Sequence, residues 1–223
     1  MERIVPIKGP VIYTVTSLVW NPDDRALFYT TDNNAMRDLV RLDPVTGATE
    51  VLQKDARIGD LAYNHGDKSI WGIRHLNGFC TIVRIPAPYT SWEQIVTLPY
   101  GTIVYDLDVS PDGARLSASF GEISGKQDVR VLNIEALKKG ETTPEARFDF
   151  AQSVPNGFTF SPDGRFLYGS AYLTGVSNIF RYDLASGTLD AVSNTETGFF
   201  RPVPLGNDAL FVFRYTGAGF VPA

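Results

Sequence analysis

Short stretches in which apolar and polar residues alternate follow one another along the whole chain, separated by clusters of Pro, Gly, Asn, Asp and Ser. Val, Ile, Tyr, Phe and Thr dominate the stretches, and their branched or flat side chains suit a pleated, half-buried surface. The pattern predicts strands at 15–20, 26–31, 38–42 and 49–52, then at 58–63, 69–74, 79–85 and 94–98. It continues at 104–109, 115–120, 128–134 and 146–150, then at 157–160, 165–171, 178–184 and 189–192. A last pair falls at 199–204 and 209–215, and only 133–139, ended by Gly140, reads as a helical turn. The strands therefore group in fours, with an incomplete fifth group.

Between the first two strands of every group lies a turn of related chemistry. Ser110-Pro111-Asp112-Gly113 and Ser161-Pro162-Asp163-Gly164 are its clearest copies, and weaker ones begin at Asn21, Asn64 and Leu205. Pro presets φ near −65°, Ser or Asn opens the turn through its side chain, and Gly accepts positive φ, so the motif predicts a type I turn closed by a left-handed residue. Where Gly is missing, Asp24, Asp67 and Asp208 are expected to take the left-handed position. The turn starts are 43, 46, 51 and 44 residues apart. A period in the forties with four strands per unit predicts an all-β propeller of four-stranded antiparallel blades, about five in this chain. A second register agrees: Arg41, Arg84, Arg130 and Arg181 each stand 20 residues after a turn start, between apolar neighbours. Length variation is then confined to later loops such as 86–93 and 137–145.

At 223 residues, 43% hydrophobic and 12% aromatic, the chain can build one packed β domain over 1–223. Its net charge of −5 lacks the concentrated basic face a nucleic-acid groove needs. Cys80, the only cysteine, excludes an intrachain disulfide, and its place in the 79–85 strand predicts a small buried apolar role. No stretch is long and apolar enough for a transmembrane helix, and residues 1–6 lack the features of a secretory signal. The fifth group has little room for outer strands, while 3–7 and 11–14 offer one or two more. Either those segments complete a small ring, or the chain is a piece of a larger ring or protein, associated with other domains. The second arrangement is preferred, because an open array leaves strand edges unpaired.

The repeated Ser-Pro-Asp-Gly-Arg/Ala-x-Leu pattern, with Phe180-Arg181-Tyr182-Asp183-Leu184 downstream of Phe160-Ser161-Pro162-Asp163-Gly164-Arg165, resembles the TolB-like, WD-like β-propeller repeat family. The likeness spans essentially the whole chain, strongest in the third and fourth units. Members commonly have six or more blades, so five units again suggest a part of something longer. The resemblance implies a bacterial envelope setting, frequently periplasmic, and use as a protein-binding platform, sometimes beside a peptidase domain.

Candidate chemistry is sparse. His65 and His75 lack a third ligand at metal-site spacing, and no Gly-x-Ser-x-Gly elbow is present. No cofactor is expected. Asp60, Asp106 and Asp108 fall on inner strands, where oxygen ligands for a cation would line a channel. The turn residues Asp23, Asp112 and Asp163 have sufficient structural duty in their turns. The four register arginines carry a repeated structural role, stem between blades and guanidinium on a carboxylate, or alternatively a cationic ring for an acidic partner. Tyr89, Trp92 and Tyr100 lie in or near a long loop, as satellite core beneath it or as partner-contact anchors. The preferred reading is a non-catalytic protein-interaction module. The rivals are a gating propeller of a larger peptidase and a small-molecule hydrolase propeller with a channel-bound cation.

Overall fold

A computed structural model describes residues 15–32, 37–151, 153–206 and 209–223. The first blade is β1 (Val15–Asn21), β2 (Ala26–Asp32), β3 (Arg37–Leu42) and β4 (Thr49–Gln53). The second is β5 (Ile58–Asn64), β6 (Ser69–Leu76), β7 (Phe79–Ile85) and β8 (Glu93–Thr97). The third is β9 (Ile103–Val109), β10 (Arg115–Gly121), β11 (Gln127–Asn133) and β12 (Ala146–Asp149), with helix α1 (Ile134–Lys138) between its last two strands. The fourth is β13 (Asn156–Phe160), β14 (Phe166–Ala171), β15 (Asn178–Asp183) and β16 (Thr188–Ala191). The fifth is β17 (Phe199–Pro204), β18 (Leu210–Thr216) and β19 (Gly219–Pro222).

Each sheet is an antiparallel meander in chain order. Inner strands β1, β5, β9, β13 and β17 pack successively around a common axis, as a β-propeller requires. Among the described residues, no comparable packing joins β17 to β1. Hydrophobic clusters fill the gaps between the first four sheets: Phe28, Leu39, Ile58 and Ile70 between the first and second blades, and Trp71, Ile82, Leu116 and Phe120 between the second and third. Phe148, Phe150, Phe158 and Phe180 serve the third and fourth. Alternation along each strand thus feeds two cores, one on either side of a sheet.

One detail differs from the sequence expectation. The fifth blade holds a third strand, β19, paired with β18. The segments 3–7 and 11–14, and part of the fifth turn, lie outside the described residues.

The turns form as the sequence implies where Gly is present. Gly113 and Gly164 have φ of 73° and 68°, and their N–H groups donate to Ser110 and Ser161 carbonyls at 2.8 Å. In the two Asn turns the left-handed residue falls one place later, at Arg25 (φ 49°) and Lys68 (φ 55°), and not at Asp24 or Asp67. The reason is a different closure. Asn21 Oδ1 accepts the N–H of both Asp23 and Asp24, and Asn64 Oδ1 accepts those of Gly66 and Asp67, which moves the left-handed position one residue along a turn of unchanged length.

Neighbouring turns also touch. Asn64 Nδ2 donates to the Gly113 carbonyl at 3.1 Å, and Arg115 donates to the Gly164 carbonyl at 2.9 Å. A Cβ on Gly113 would therefore meet Asn64 Oδ1 and the Gly66 backbone as well as an unfavourable φ. Gly113→Ala should lower stability by about 1–3 kcal/mol in equilibrium denaturation. An unchanged midpoint would mean that the turns do not hold the second and third blades together.

Candidate functional site

A propeller offers three places for function: the axial channel and its two end faces. The channel, about 260 Å³, is lined by Ser17, Asp60, Asp106, Asp108, Thr159 and Arg201 among others. Every inner strand carries a register shift within it or against its partner strand. From the second blade on, a left-handed residue sits there: Asp60 (φ 50°), Asp106 (φ 54°), Gly157 (φ 61°) and Arg201 (φ 47°). These positions repeat with the same steps as the turns four residues later. An irregularity of this kind re-aims a side chain out of the pleat, here toward the next blade.

Side chains at these positions bind one blade to its neighbour. Ser17 Oγ accepts the Leu61 N–H at 2.6 Å, Asp60 Oδ1 accepts the Asp106 N–H at 3.0 Å, and Asp106 Oδ2 accepts the Gly157 N–H at 2.7 Å. Asp108 adds a parallel clasp, its Oδ2 accepting Thr159 Oγ1–H and the Phe160 N–H, both at 2.7 Å. Burial raises the carboxyls of Asp106 and Asp108 above the ordinary Asp range, more than these hydrogen bonds lower them. Among the described residues, no three His, Cys, Asp or Glu side chains converge as a metal site would need. The channel acids serve as inter-blade clasps, each of Asp60, Asp106 and Asp108 committing a carboxylate oxygen to a donor of the next blade.

The register arginines lie on β3, β7, β11 and β15. Arg84 pairs with Asp67 at 2.8 Å and Glu93 at 3.0 Å, and Arg181 with Asp190 at 3.0 Å. Arg130 grips the buried Asp128 at 2.6 Å and lies 4.2 Å from the Phe120 ring centre. Arg41 stands opposite Glu50 in the β3–β4 register. Arg147 also holds Asp128, so Arg130→Ala leaves that carboxylate with one cation. The variant should lose about 1–2 kcal/mol, less than the ~3–5 of a fully orphaned pair. Thermal denaturation reads this directly; an unchanged melting temperature would assign Arg130 to the surface.

Of the three loop aromatics, only Tyr100 is on the surface, at 67% exposure. Tyr89 belongs to the core and not to a contact surface. At 5% exposure it packs edge-on against Phe28, accepts from Asn21 Nδ2 and donates to the Lys68 carbonyl, both at 3.0 Å. Trp92 packs half-buried on the same cluster beneath the Arg74 guanidinium.

The two ends of the propeller differ. The end carrying the Pro-Asp turns presents Asp112, Asp163, Arg115 and Arg165, which bond within and between turns. Ser110 and Ser161 hydroxyls, then the Ala114 and Arg165 N–H groups, hold Asp112 and Asp163 below the usual carboxylate range. The opposite end, where second strands turn into third strands, is apolar. It carries Phe79, Tyr100, Ile103, Ile123, Val154, Tyr172, Leu173, Tyr215 and Phe220, nine of the sixteen large hydrophobic residues exposed among the described residues. That concentration is what a docking face shows and what singly scattered residues do not. Between the fourth and fifth blades this end opens into a cleft of about 520 Å³, walled by Tyr172, Phe200, Phe213 and Phe220 with Arg201 beside them. Sequence reasoning missed this face, because its residues are far apart in the chain and share no motif.

Known structures share the architecture. TolB from Acinetobacter baumannii superposes with a TM-score of 0.67 at 17% identity, over 94% of this chain and 54% of that one. A TolB-type protein from Agrobacterium tumefaciens gives 0.70 at 18% identity, over 93% and 71%. XC5397 from Xanthomonas campestris, a gluconolactonase, gives 0.60 at 19% identity, over 92% and 74%. The chain thus spans about half the length of the first of these. No curated protein matches it in sequence. These likenesses establish a TolB-like β-propeller fold. The profile of the SMP-30/Gluconolactonase/LRE-like region matches residues 15–200, most of the described propeller, and the chain belongs to that family.

Proposed function

We propose that this propeller is a protein-interaction module that docks a partner through its apolar end, using the aromatic cleft between the fourth and fifth blades as the anchor pocket. The observation that carries the reading is the asymmetry of the two ends. One is a hydrogen-bonded polar lattice, while the other gathers most of the exposed large hydrophobics around a pre-formed pocket. Aromatic walls suit a buried apolar anchor residue, and Arg201 at the pocket edge favours a partner with a carboxylate next to that anchor. The TolB likeness extends the proposal to an envelope protein longer than this chain. The TolB of Acinetobacter baumannii, nearly twice as long, supports that extension.

The rival is hydrolysis of a small molecule such as a lactone, suggested by the family and the gluconolactonase neighbour. It is disfavoured because Asp60, Asp106 and Asp108 are already engaged by backbone and hydroxyl donors. Site-specific photo-crosslinking in the native host separates the two. A photoreactive residue at Ile123 or Tyr172 should capture one discrete protein, and one at Ser186 on the polar end should not. Equal capture from both ends, or gluconolactone hydrolysis abolished by Asp106→Asn, would overturn the docking reading.

A further inference from the structure

A second cleft, independent of the docking pocket, opens between the second and third blades at the apolar end. It measures about 600 Å³ and is walled by Phe79, Tyr100, Ile103 and Ile123, with His75 and Cys80 among its lining. The turn Asn77-Gly78, with φ of 52° and 80°, closes the β6–β7 hairpin and sets His75 directly across from Cys80. Cys80 Sγ lies 3.4 Å from His75 Nδ1. The other ring nitrogen, Nε2, faces Asp60 Oδ2 at 4.0 Å. Asp60 is fixed in that orientation because its Oδ1 accepts the Asp106 N–H. Three strands thus bring a thiol, an imidazole and an anchored carboxylate into line at the side of an apolar cavity.

The electrostatics follow from the geometry. Asp60 first, then Cys80, raises the His75 imidazole to about 9 against the opposing effect of burial. At neutral pH the ring is an imidazolium, which puts a cation in contact with the Cys80 sulfur. Cys80 is 4% exposed at the edge of the core between the second and third blades, with its sulfur turned to His75.

We propose that Cys80 is a peroxide-reactive thiol, paired with His75 and supplied through this cleft with small apolar hydroperoxides. The thiolate sulfur attacks the terminal peroxide oxygen, an S–O bond forms and the O–O bond breaks. The leaving alkoxide takes the Nδ1 proton of His75 and departs as an alcohol. Sulfur is oxidised by two electrons to a sulfenic acid and the peroxide is reduced. Cys80 is the only cysteine, so no intrachain disulfide can follow. The sulfenic acid instead condenses with a low-molecular-weight thiol, releasing water and leaving a mixed disulfide, which a second thiol molecule reduces.

The test uses the full chain at pH 7, with cumene hydroperoxide or hydrogen peroxide as oxidant and dimedone as the sulfenate trap, read by intact mass and peptide mapping. One adduct on Cys80 is expected, formed at least tenfold faster in the folded protein than in guanidinium. Cumene hydroperoxide should outpace hydrogen peroxide, and Ile123→Trp, which narrows the cleft, should slow only the former. His75→Gln should slow both oxidants tenfold or more with the circular dichroism spectrum retained. If that variant fails to fold, the folded-against-unfolded comparison of the wild-type chain still decides. A folded-state rate no faster than the unfolded one, or equal rates for the two oxidants, would overturn the proposal.

Discussion

Phe158→Ala should lower the unfolding free energy by about 3–5 kcal/mol, the range for deleting a fully buried aromatic side chain. Phe158 is 1% exposed and stands between two blades, with ring centres of Phe148 and Phe150 at 5.4 and 5.3 Å. Its own ring occupies the space in front of Gly169, where a Cβ would fall 2.2 Å from a ring carbon. Truncation therefore opens a cavity whose floor is backbone and whose walls are other rings, a site with little means of collapse. Gly169→Ala should be harmful by itself, by about 1–3 kcal/mol through overpacking. In the Phe158→Ala background the same substitution should cost much less. Chemical denaturation of the four proteins gives the coupling energy. Additive effects would mean that Phe158 does not fill the space over Gly169.

Asp108→Ala should destabilise by about 2–3 kcal/mol at neutral pH, because it removes two hydrogen bonds to a charged acceptor and orphans the Phe160 N–H. Asp108→Asn should stay within about 1 kcal/mol of wild type, since an amide oxygen can accept the same donors without burying a charge. The pH dependence separates these cases further. Burial raises the folded-state pKa of Asp108 above its unfolded value near 3.8. As pH falls from neutral through the folded-state pKa, the native protein takes up this proton before the unfolded chain does. The Asp108 contribution to stability is therefore fully present below the unfolded value and is lost as pH rises through the folded one. Asp106 contributes in the same direction. Asp112 and Asp163, held low by their turns, act oppositely and lose their contribution as pH falls. The difference in stability between wild type and Asp108→Asn, followed over acid pH, should move in favour of wild type on acidification. A constant difference would show that this carboxyl does not titrate differently in the two states.

The architecture was legible because propeller turns write themselves in residue types. Pro111, Gly113, Pro162 and Gly164 announce backbone geometry directly, and the register arginines count residues from each turn to the third strand. The inner-strand irregularity was not legible. It repeats with the same period, but its left-handed positions hold Asp, Asp, Gly and Arg, and backbone conformation alone unites them. Asp60, Asp106 and Asp108 were therefore visible as acids on inner strands, while their partners in the next blade were not. Tyr89 was legible only in part. Loop membership fits satellite core and partner contact alike, and the bonds that decide for core, from its side chain and carbonyl to Asn21, Lys68 and Gln53, join residues far apart in the chain. The apolar end required the ring itself, since only the radial arrangement brings Tyr100, Ile123, Tyr172 and Phe220 to one side.

The relay of inner-strand hydrogen bonds runs from Ser17 to Leu61, from Asp60 to Asp106 and from Asp106 to Gly157, and glycine has no side chain with which to continue it. The fourth and fifth blades consequently meet at the axis without the fastening used by the earlier pairs. Val212 is the one hydrophobic residue of β17–β19 in the buried core among the described residues. Amide protons of β18 should accordingly exchange with deuterium well before those of β6 or β10, as a separate opening unit. The aromatic cleft sits at this seam. A guest wedged there would work as the missing rivet, and its binding would register as slower exchange across the last three strands.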